Sequence, residues 1–289
     1  MYSIKISFLL LLLYGSLQAQ GLQLGFGIGK SVYWGDLNSS EFSSNINNNG
    51  GLALQIFGKY NYKTRGAVKT SILFGKLAGS DAFQTAEDLR IRNLSFRSNI
   101  FEFSILGEYY FFGYDPFAAE NVFSPYVSFG VAGFYFNPIA DYQGNSFELQ
   151  PLGTEGQGNP GYGAKYKKFN AGIPFGAGAV FRLNQSMDIT FDIIARKTFT
   201  DYIDDLSGSY VNYNELAALN GPIAAALADR TNEYLGLSEP LIRETGFQRG
   251  GKLVKDWYFT AMFGFGFTLT DYSTINRRKS NYRPDCPKF

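Results

Sequence analysis

Histidine is absent from the 289-residue chain. Without it the chain lacks the commonest general base and the commonest metal ligand, and hydrolases that pair a serine with a histidine are excluded. Cysteine occurs once, at Cys286, so an internal disulfide scaffold is excluded as well. Charged residues make up only 18% of the chain, below the roughly 25% of ordinary soluble domains. They almost cancel, to a net charge of +1, which argues against a nucleic-acid or strongly electrostatic partner. Long hydrophobic runs are missing too. The apolar stretch 8–14 falls well short of the roughly 20 residues a spanning helix needs, and no later run reaches that length.

The N-terminus is built for export. A short leading segment with Lys5 precedes the 8–14 stretch, and small or polar residues follow, ending Leu17-Gln18-Ala19-Gln20. This is the pattern of a secretory signal peptide, with cleavage expected after Ala19. Beyond it the chain is rich in Phe (28), Tyr (20) and Gly (33). An exported chain with these residues and no spanning helix is either a secreted β domain or a membrane β-barrel. The roughly 270 residues left after cleavage fit one domain.

Period-two alternation marks eight strands. Leu22, Leu24, Phe26 and Ile28 alternate with Gln23 and glycines. Leu52, Leu54, Ile56 and Tyr60 alternate with Ala53, Gln55, Lys59 and Asn61. Val68, Thr70, Ile72 and Phe74 oppose Lys69, Ser71, Leu73 and Gly75. In the fourth strand Phe101, Phe103, Ile105, Tyr109 and Phe111 share one face, with Glu102, Ser104 and Glu108 on the other. The fifth and sixth span 126–136 and 169–183. In the seventh, Met187, Ile189, Phe191 and Ile193 oppose Asp188, Thr190, Asp192 and Arg196; the eighth sets Trp257, Phe259, Phe263, Phe265 and Phe267 against Tyr258, Thr260 and two glycines.

Connection lengths give the topology. Long segments (38–51, 80–93, 138–167 and 201–255) alternate with short ones at 63–66, around Asp115-Pro116 and at 184–186. Short periplasmic turns, long extracellular loops and an even strand number belong to outer-membrane barrels. The expected fold is all-β, an eight-stranded antiparallel transmembrane β-barrel with periplasmic termini in the outer membrane. The expected divisions are a signal peptide at 1–19, the barrel at 20–270 and a periplasmic tail at 271–289. A soluble lipocalin-like barrel would turn its apolar face inward. Here the apolar face carries no charge through mid-strand, where one would cost roughly 2–4 kcal/mol against lipid.

The opposite face carries a polar network expected in the lumen: Glu102, Glu108, Asp188, Asp192, Arg182 and Arg196, with Lys69. These charges either line an ion path or fill the interior, and an eight-stranded barrel is just wide enough for its own side chains. Asp201, Asp204 and Asp205, beside Tyr202, form either an oxygen-rich cation site or a solvated loop. They lack the spacing of a calcium-binding loop, so the solvated loop is expected. A helix is expected over 214–230, broken at Gly221-Pro222, reaching a partner or folding back over the barrel mouth. Cys286 lies in Arg283-Pro284-Asp285-Cys286-Pro287, a proline-stiffened tail. It is either a free thiol or, as a leftover cysteine in an exported chain suggests, paired with another molecule. No catalytic, metal or cofactor residues emerge, and no small-molecule substrate is expected.

Several longer strings are distinctive: Tyr33-Trp34-Gly35-Asp36-Leu37 after the first strand, the 92–98 segment Arg-Asn-Leu-Ser-Phe-Arg-Ser before the fourth, and Phe134-Tyr135-Phe136-Asn137-Pro138. The most specific are residues 149–158 (Leu-Gln-Pro-Leu-Gly-Thr-Glu-Gly-Gln-Gly) and 196–205 (Arg-Lys-Thr-Phe-Thr-Asp-Tyr-Ile-Asp-Asp). In these strings the chain resembles the PorG family of outer-membrane barrels from the type IX secretion system of Bacteroidota, over nearly its whole mature length. The resemblance implies no catalysis. It implies a barrel that binds the periplasmic ring of a lipoprotein, GldK or PorK, with GldN or PorN, beside a translocon that exports proteins including gliding adhesins. Set against that partner, Cys286 becomes a candidate for a mixed disulfide, with Arg283, Pro284, Asp285 and Pro287 as the binding tail. The competing readings are a surface adhesin and a small-solute channel.

Overall fold

A computed structural model describes residues 22–38, 42–62, 64–115, 122–251 and 255–269. The expected signal peptide and the 271–289 tail, with Arg283, Pro284, Asp285, Cys286 and Pro287, lie outside the described residues.

Nine strands are present among the described residues: β1 (Leu22–Trp34), β2 (Gly50–Tyr62), β3 (Gly66–Ser80), β4 (Ser95–Tyr110), β5 (Phe123–Tyr142), β6 (Asn145–Glu148), β7 (Phe169–Arg182), β8 (Met187–Thr198) and β9 (Trp257–Thr268). Eight of them close into an antiparallel barrel, ordered β4-β3-β2-β1-β9-β8-β7-β5 and sealed by β4 against β5. The first and last strands pair from Gln23↔Thr268 to Trp34↔Trp257. Closure leaves no edge among these eight staves, as a bilayer requires of strands that cross it. The ninth strand, β6, is a hairpin arm folded back on the end of β5, turning at Gln143 (φ 49°) and Gly144 (φ 80°). Both residues take the positive φ that a tight two-residue hairpin demands.

Side chains alternate strictly about the wall. Phe26, Ile28, Leu54, Ile56, Phe74, Phe101, Phe103, Phe129, Val131, Ile193 and Phe263 stand exposed on the outside. A continuous apolar surface of this extent does not persist in water, whereas in a bilayer it is the solvent-matched face. Outward charges on the staves begin only toward their upper ends, at Lys30, Lys76, Arg97 and Lys197. Tyr60, Tyr62, Tyr109, Phe123 and Phe181 ring the lower edge, where aromatic residues favour the lipid–water boundary. This is an outer-membrane β-barrel, with its long connections (35–49, 81–94, 143–168 and 199–256) at the extracellular end.

Three strands run longer than their alternation predicts. Tyr33-Trp34 closes β1, most of the 92–98 string belongs to β4, and Phe134-Tyr135-Phe136-Asn137-Pro138 lies inside β5. Beyond the ring of lysines and arginine these strands leave the lipid and pack inward on a second apolar core. That core joins Tyr33, Phe96, Phe134, Phe136, Ile203 and Leu206. Phe111, expected in the fourth strand, falls just past its end, where its N–H donates to Pro125 O at 3.0 Å. The expected helix is present as two pieces, Tyr213–Asn220 and Pro222–Ala228, broken where expected; a third piece, Thr231–Leu235, follows.

Candidate functional site: a filled lumen under a folded cap

The lumen is occupied by the chain's own polar side chains. Arg196 from β8 reaches across to Glu102 on β4, with Nε–Oε2 2.9 Å and Nη2–Oε1 3.3 Å. Tyr258 donates to the same carboxylate, and Arg196 donates to Thr260. Lys59 meets Glu108 at 3.0 Å, with Tyr110 donating to that carboxylate at 2.6 Å. Lys69 meets Asp192 at 2.8 Å, joined by the Tyr126 hydroxyl. Asp188 accepts from Gln23 at 2.5 Å and Tyr114 at 2.7 Å. Each of these acids therefore has a hydrogen-bonded partner, the condition under which charges survive out of water.

Of the six residues expected in this network, Glu102, Glu108, Asp188, Asp192 and Arg196 are brought together. Arg182 lies buried at the lower end of β7, opposite Asp188 in the register, and its Nη1 donates to the backbone oxygen of Asp115 at 2.7 Å. Lys59, Tyr110, Tyr114, Tyr126 and Tyr258 complete the network and were not singled out from sequence. For all but Tyr114, which lies in the connection after β4, an inward place in the alternation was the available signal, but tyrosine suits the boundary ring equally well. Glycines make room for this filling. A Cβ at Gly25 would lie 2.3 Å from the Phe57 ring, and one at Gly266 would lie 2.4 Å from the pinned Asp188 carboxylate.

The extracellular connections fold into a cap over this filled barrel. Its key contacts join the two most specific strings. Thr154 donates to Asp205, and Glu155 Oε1 accepts the N–H groups of Ser207 (3.1 Å) and Gly208 (2.9 Å). Arg249 fastens the junction, bonding Glu155 at 3.1 Å and the Asp205 carbonyl at 2.8 Å. Tyr166 stacks between Phe136 and Tyr202, with centroid separations of 6.0 and 4.6 Å. On the other side Arg92 grips Asp81 through two nitrogens at 2.7 and 2.8 Å and reaches the Arg249 carbonyl at 2.8 Å.

The acids expected as a solvated loop are buried instead: Asp201 is 3% exposed, and Asp204 and Asp205 are fully covered. The 199–256 connection is drawn inward by its own Ile203 and Leu206, which carry the neighbouring carboxyls with them. Among the described residues no group of acids has the arrangement of a metal site. Asp204 Oδ2 and Asp256 Oδ1 flank the Tyr33 hydroxyl at 2.6 and 2.8 Å. Burial, and then the charges of neighbouring acids, push both carboxyls well above the ordinary range. Burial pushes Asp205 up to about 6 against the opposing charge of Arg249.

The model of one protein family, described as a domain of unknown function (DUF6089), matches residues 3–223. The chain belongs to the DUF6089 family. The match covers β1 through β8 and the cap strings, and ends within the helical part of the last outer connection. No curated protein matches the chain. Solved barrels with a similar outline include Neisserial surface protein A, at 6% identity over 86% of this chain and 97% of that one, TM-score 0.42. OprG from Pseudomonas aeruginosa is 13% identical over 87% of this chain and 98% of its own, TM-score 0.40. Ail, the attachment invasion locus protein of Yersinia pestis, is 12% identical over 87% of this chain and 99% of its own, TM-score 0.38. These likenesses assign no activity to the DUF6089 chain.

Proposed function

We propose that this DUF6089 barrel is a non-enzymatic component of the type IX protein secretion and gliding machinery. In this reading it anchors the periplasmic ring of the GldK/PorK-like lipoprotein and its GldN/PorN-like partner to the outer membrane. The observation that carries the reading is the filled interior: Arg196–Glu102, Lys59–Glu108 and Lys69–Asp192 are buried ion pairs across a lumen just wide enough for its own side chains. A membrane protein that neither conducts nor reacts has its surfaces left to work with. The strings 149–158 and 196–205, which carry the resemblance to PorG, are also the ones that meet in the cap. The tail with Cys286 supplies the periplasmic contact in this proposal, as a mixed disulfide with the lipoprotein.

The test is a mild-detergent pull-down from native membranes, followed by non-reducing electrophoresis. The ring lipoprotein should co-purify, and a slower band containing both proteins should collapse on reduction and be missing from Cys286→Ser. Loss of the band with retention of the pull-down would leave a non-covalent anchor; absence of the lipoprotein from both would refute the anchor. A second reading, a surface adhesin, is favoured by the exposed Leu235, Ile242 and Phe247 of the outer cap. Deleting 231–247 separates the two, since an anchor survives that deletion and an adhesin does not.

A further inference from the structure

The Tyr33 hydroxyl has one proton to donate and two lone pairs to fill. Three groups surround it: the Asp36 N–H at 3.0 Å, Asp204 Oδ2 at 2.6 Å and Asp256 Oδ1 at 2.8 Å. The Asp36 N–H occupies one lone pair. The hydroxyl proton goes to one carboxylate, and the remaining lone pair faces the other. That contact is a hydrogen bond only if the second carboxyl carries a proton. The far oxygens each accept one backbone N–H, Asp204 Oδ1 from Leu206 N at 3.0 Å and Asp256 Oδ2 from Ile203 N at 2.9 Å, so the added proton gains its hydrogen bond on the oxygen that faces Tyr33. The arrangement has room for one added proton, held beside Tyr33.

We propose that this single proton locks the extracellular cap, and that its loss as pH rises loosens the 199–256 connection from the barrel mouth. Asp204 belongs to that connection and Asp256 ends it, while Tyr33 belongs to the wall. The bridge is therefore a clasp between the cap and the rim. Without the proton, two carboxylates share one phenol in a site that is almost wholly covered, Tyr33 and Asp204 having no exposure and Asp256 2%. This inference concerns regulation of the cap and does not depend on the anchoring role.

The surrounding cations are each committed elsewhere, and only the charge of Arg92 reaches Asp204 from a distance. From the 35–49 connection comes Asp36, a third acid, whose carboxylate accepts Gly251 N at 2.6 Å. From 81–94 comes Arg92, held by Asp81, and from 143–168 comes Glu155, held by Arg249. Within the same connection Asp205 faces Arg249, and Asp201 lies 3.9 Å from Lys255. Below, on β4, β8 and β9, Glu102, Arg196 and Tyr258 bond one another. Among the described residues neither Asp204 nor Asp256 forms an ion pair. Burial and the neighbouring acids raise both carboxyls in the folded cap. A group raised in this way stabilises the closed form at low pH and loses that contribution as pH climbs from the ordinary carboxylate range to its folded value.

The test is hydrogen exchange of the 203–208 amides in the full-length barrel reconstituted in lipid vesicles, from about pH 5 to about pH 9, wild type beside Asp204→Asn. Asparagine reproduces the protonated carboxyl, donating to Tyr33 through Nδ2 and accepting Leu206 N through Oδ1. The intrinsic pH dependence of exchange cancels in the ratio of the two proteins. The expected result is a ratio that grows by about tenfold per pH unit until the proton is lost, one proton being linked to opening. The variant should then be the better protected of the two at high pH. Asp256→Asn should behave alike, and serves if Asp204→Asn fails to assemble. A ratio that stays flat with pH, or a variant less protected than wild type at high pH, overturns the clasp.

Discussion

Arg196 and Glu102 offer a direct test of whether the lumen is held by coupled charges or merely packed. Both side chains are essentially sealed, with relative exposures of 1% and 0%. Arg196→Met leaves the Glu102 carboxylate with only Tyr258 as a donor. Glu102→Gln leaves the guanidinium with neutral partners. Breaking a buried pair from one side costs roughly 3–5 kcal/mol, because the stranded charge keeps its desolvation penalty. The double variant Arg196→Met/Glu102→Gln strands no charge, and its glutamine oxygen still accepts from Tyr258. Its cost should fall short of the summed single costs by about 2–3 kcal/mol. Reversible urea unfolding of the barrel in lipid vesicles measures all four corners of the cycle. Trp34 and Trp257, which face each other across β1 and β9, are the fluorescent reporters. Costs that simply add, within about 0.5 kcal/mol, would refute the coupling.

The other predictions bear on membrane contact, topology and pH. Phe265→Arg places a charge on the lipid face of β9 beside Phe26, whose ring stacks on it at 5.4 Å. It should cost on the order of 2–4 kcal/mol and reduce the heat-modifiable folded band on gels; normal assembly would mean that this face is not in lipid. In a Cys286→Ser background, Asn47→Cys, Asn145→Cys and Leu219→Cys should label on intact cells with an impermeant thiol reagent, while Gln185→Cys should stay silent. The reverse pattern would invert the barrel. Asp205, pushed up to about 6, favours its protonated form in the folded cap. Its contribution is therefore full below the ordinary carboxylate range and declines as pH rises toward about 6. Asp205→Asn should flatten that part of the cap's pH–stability curve, and an unchanged curve would count against the shift. The purified barrel should give no steady open events in a planar bilayer, whereas sustained conductance would contradict a filled lumen.

The transmembrane wall was legible in sequence because lipid and lumen impose opposite demands on successive residues. A run such as Phe101-Glu102-Phe103-Ser104 has one sensible orientation across a membrane, and β4 keeps it. Above the bilayer that constraint lapses. Pro138 reads as the start of the 138–167 loop, yet β5 runs on to Tyr142, with Asn137 N donating to Ser98 Oγ at 3.0 Å. The acids of 201–205 read as solvated because their burial depends on partners far away in the chain. Tyr33 lies 171 positions from Asp204, and Thr154 51 from Asp205. Alternation reports a neighbour's face, not such distant pairings, so the strands and the broken helix of the cap could be read and the packing of the cap could not. Yet the strings that stood out as unusual, 149–158 and 196–205, are the ones that interlock. A surface loop selected only to be soluble has no need for a sealed Asp-Tyr-Asp bridge or an arginine with its charge entirely consumed inside. Unpaired burial of such groups costs far more than a polar loop does. Their presence argues that the cap's closed shape, and not merely its exposure to the medium, is what this chain is built to hold.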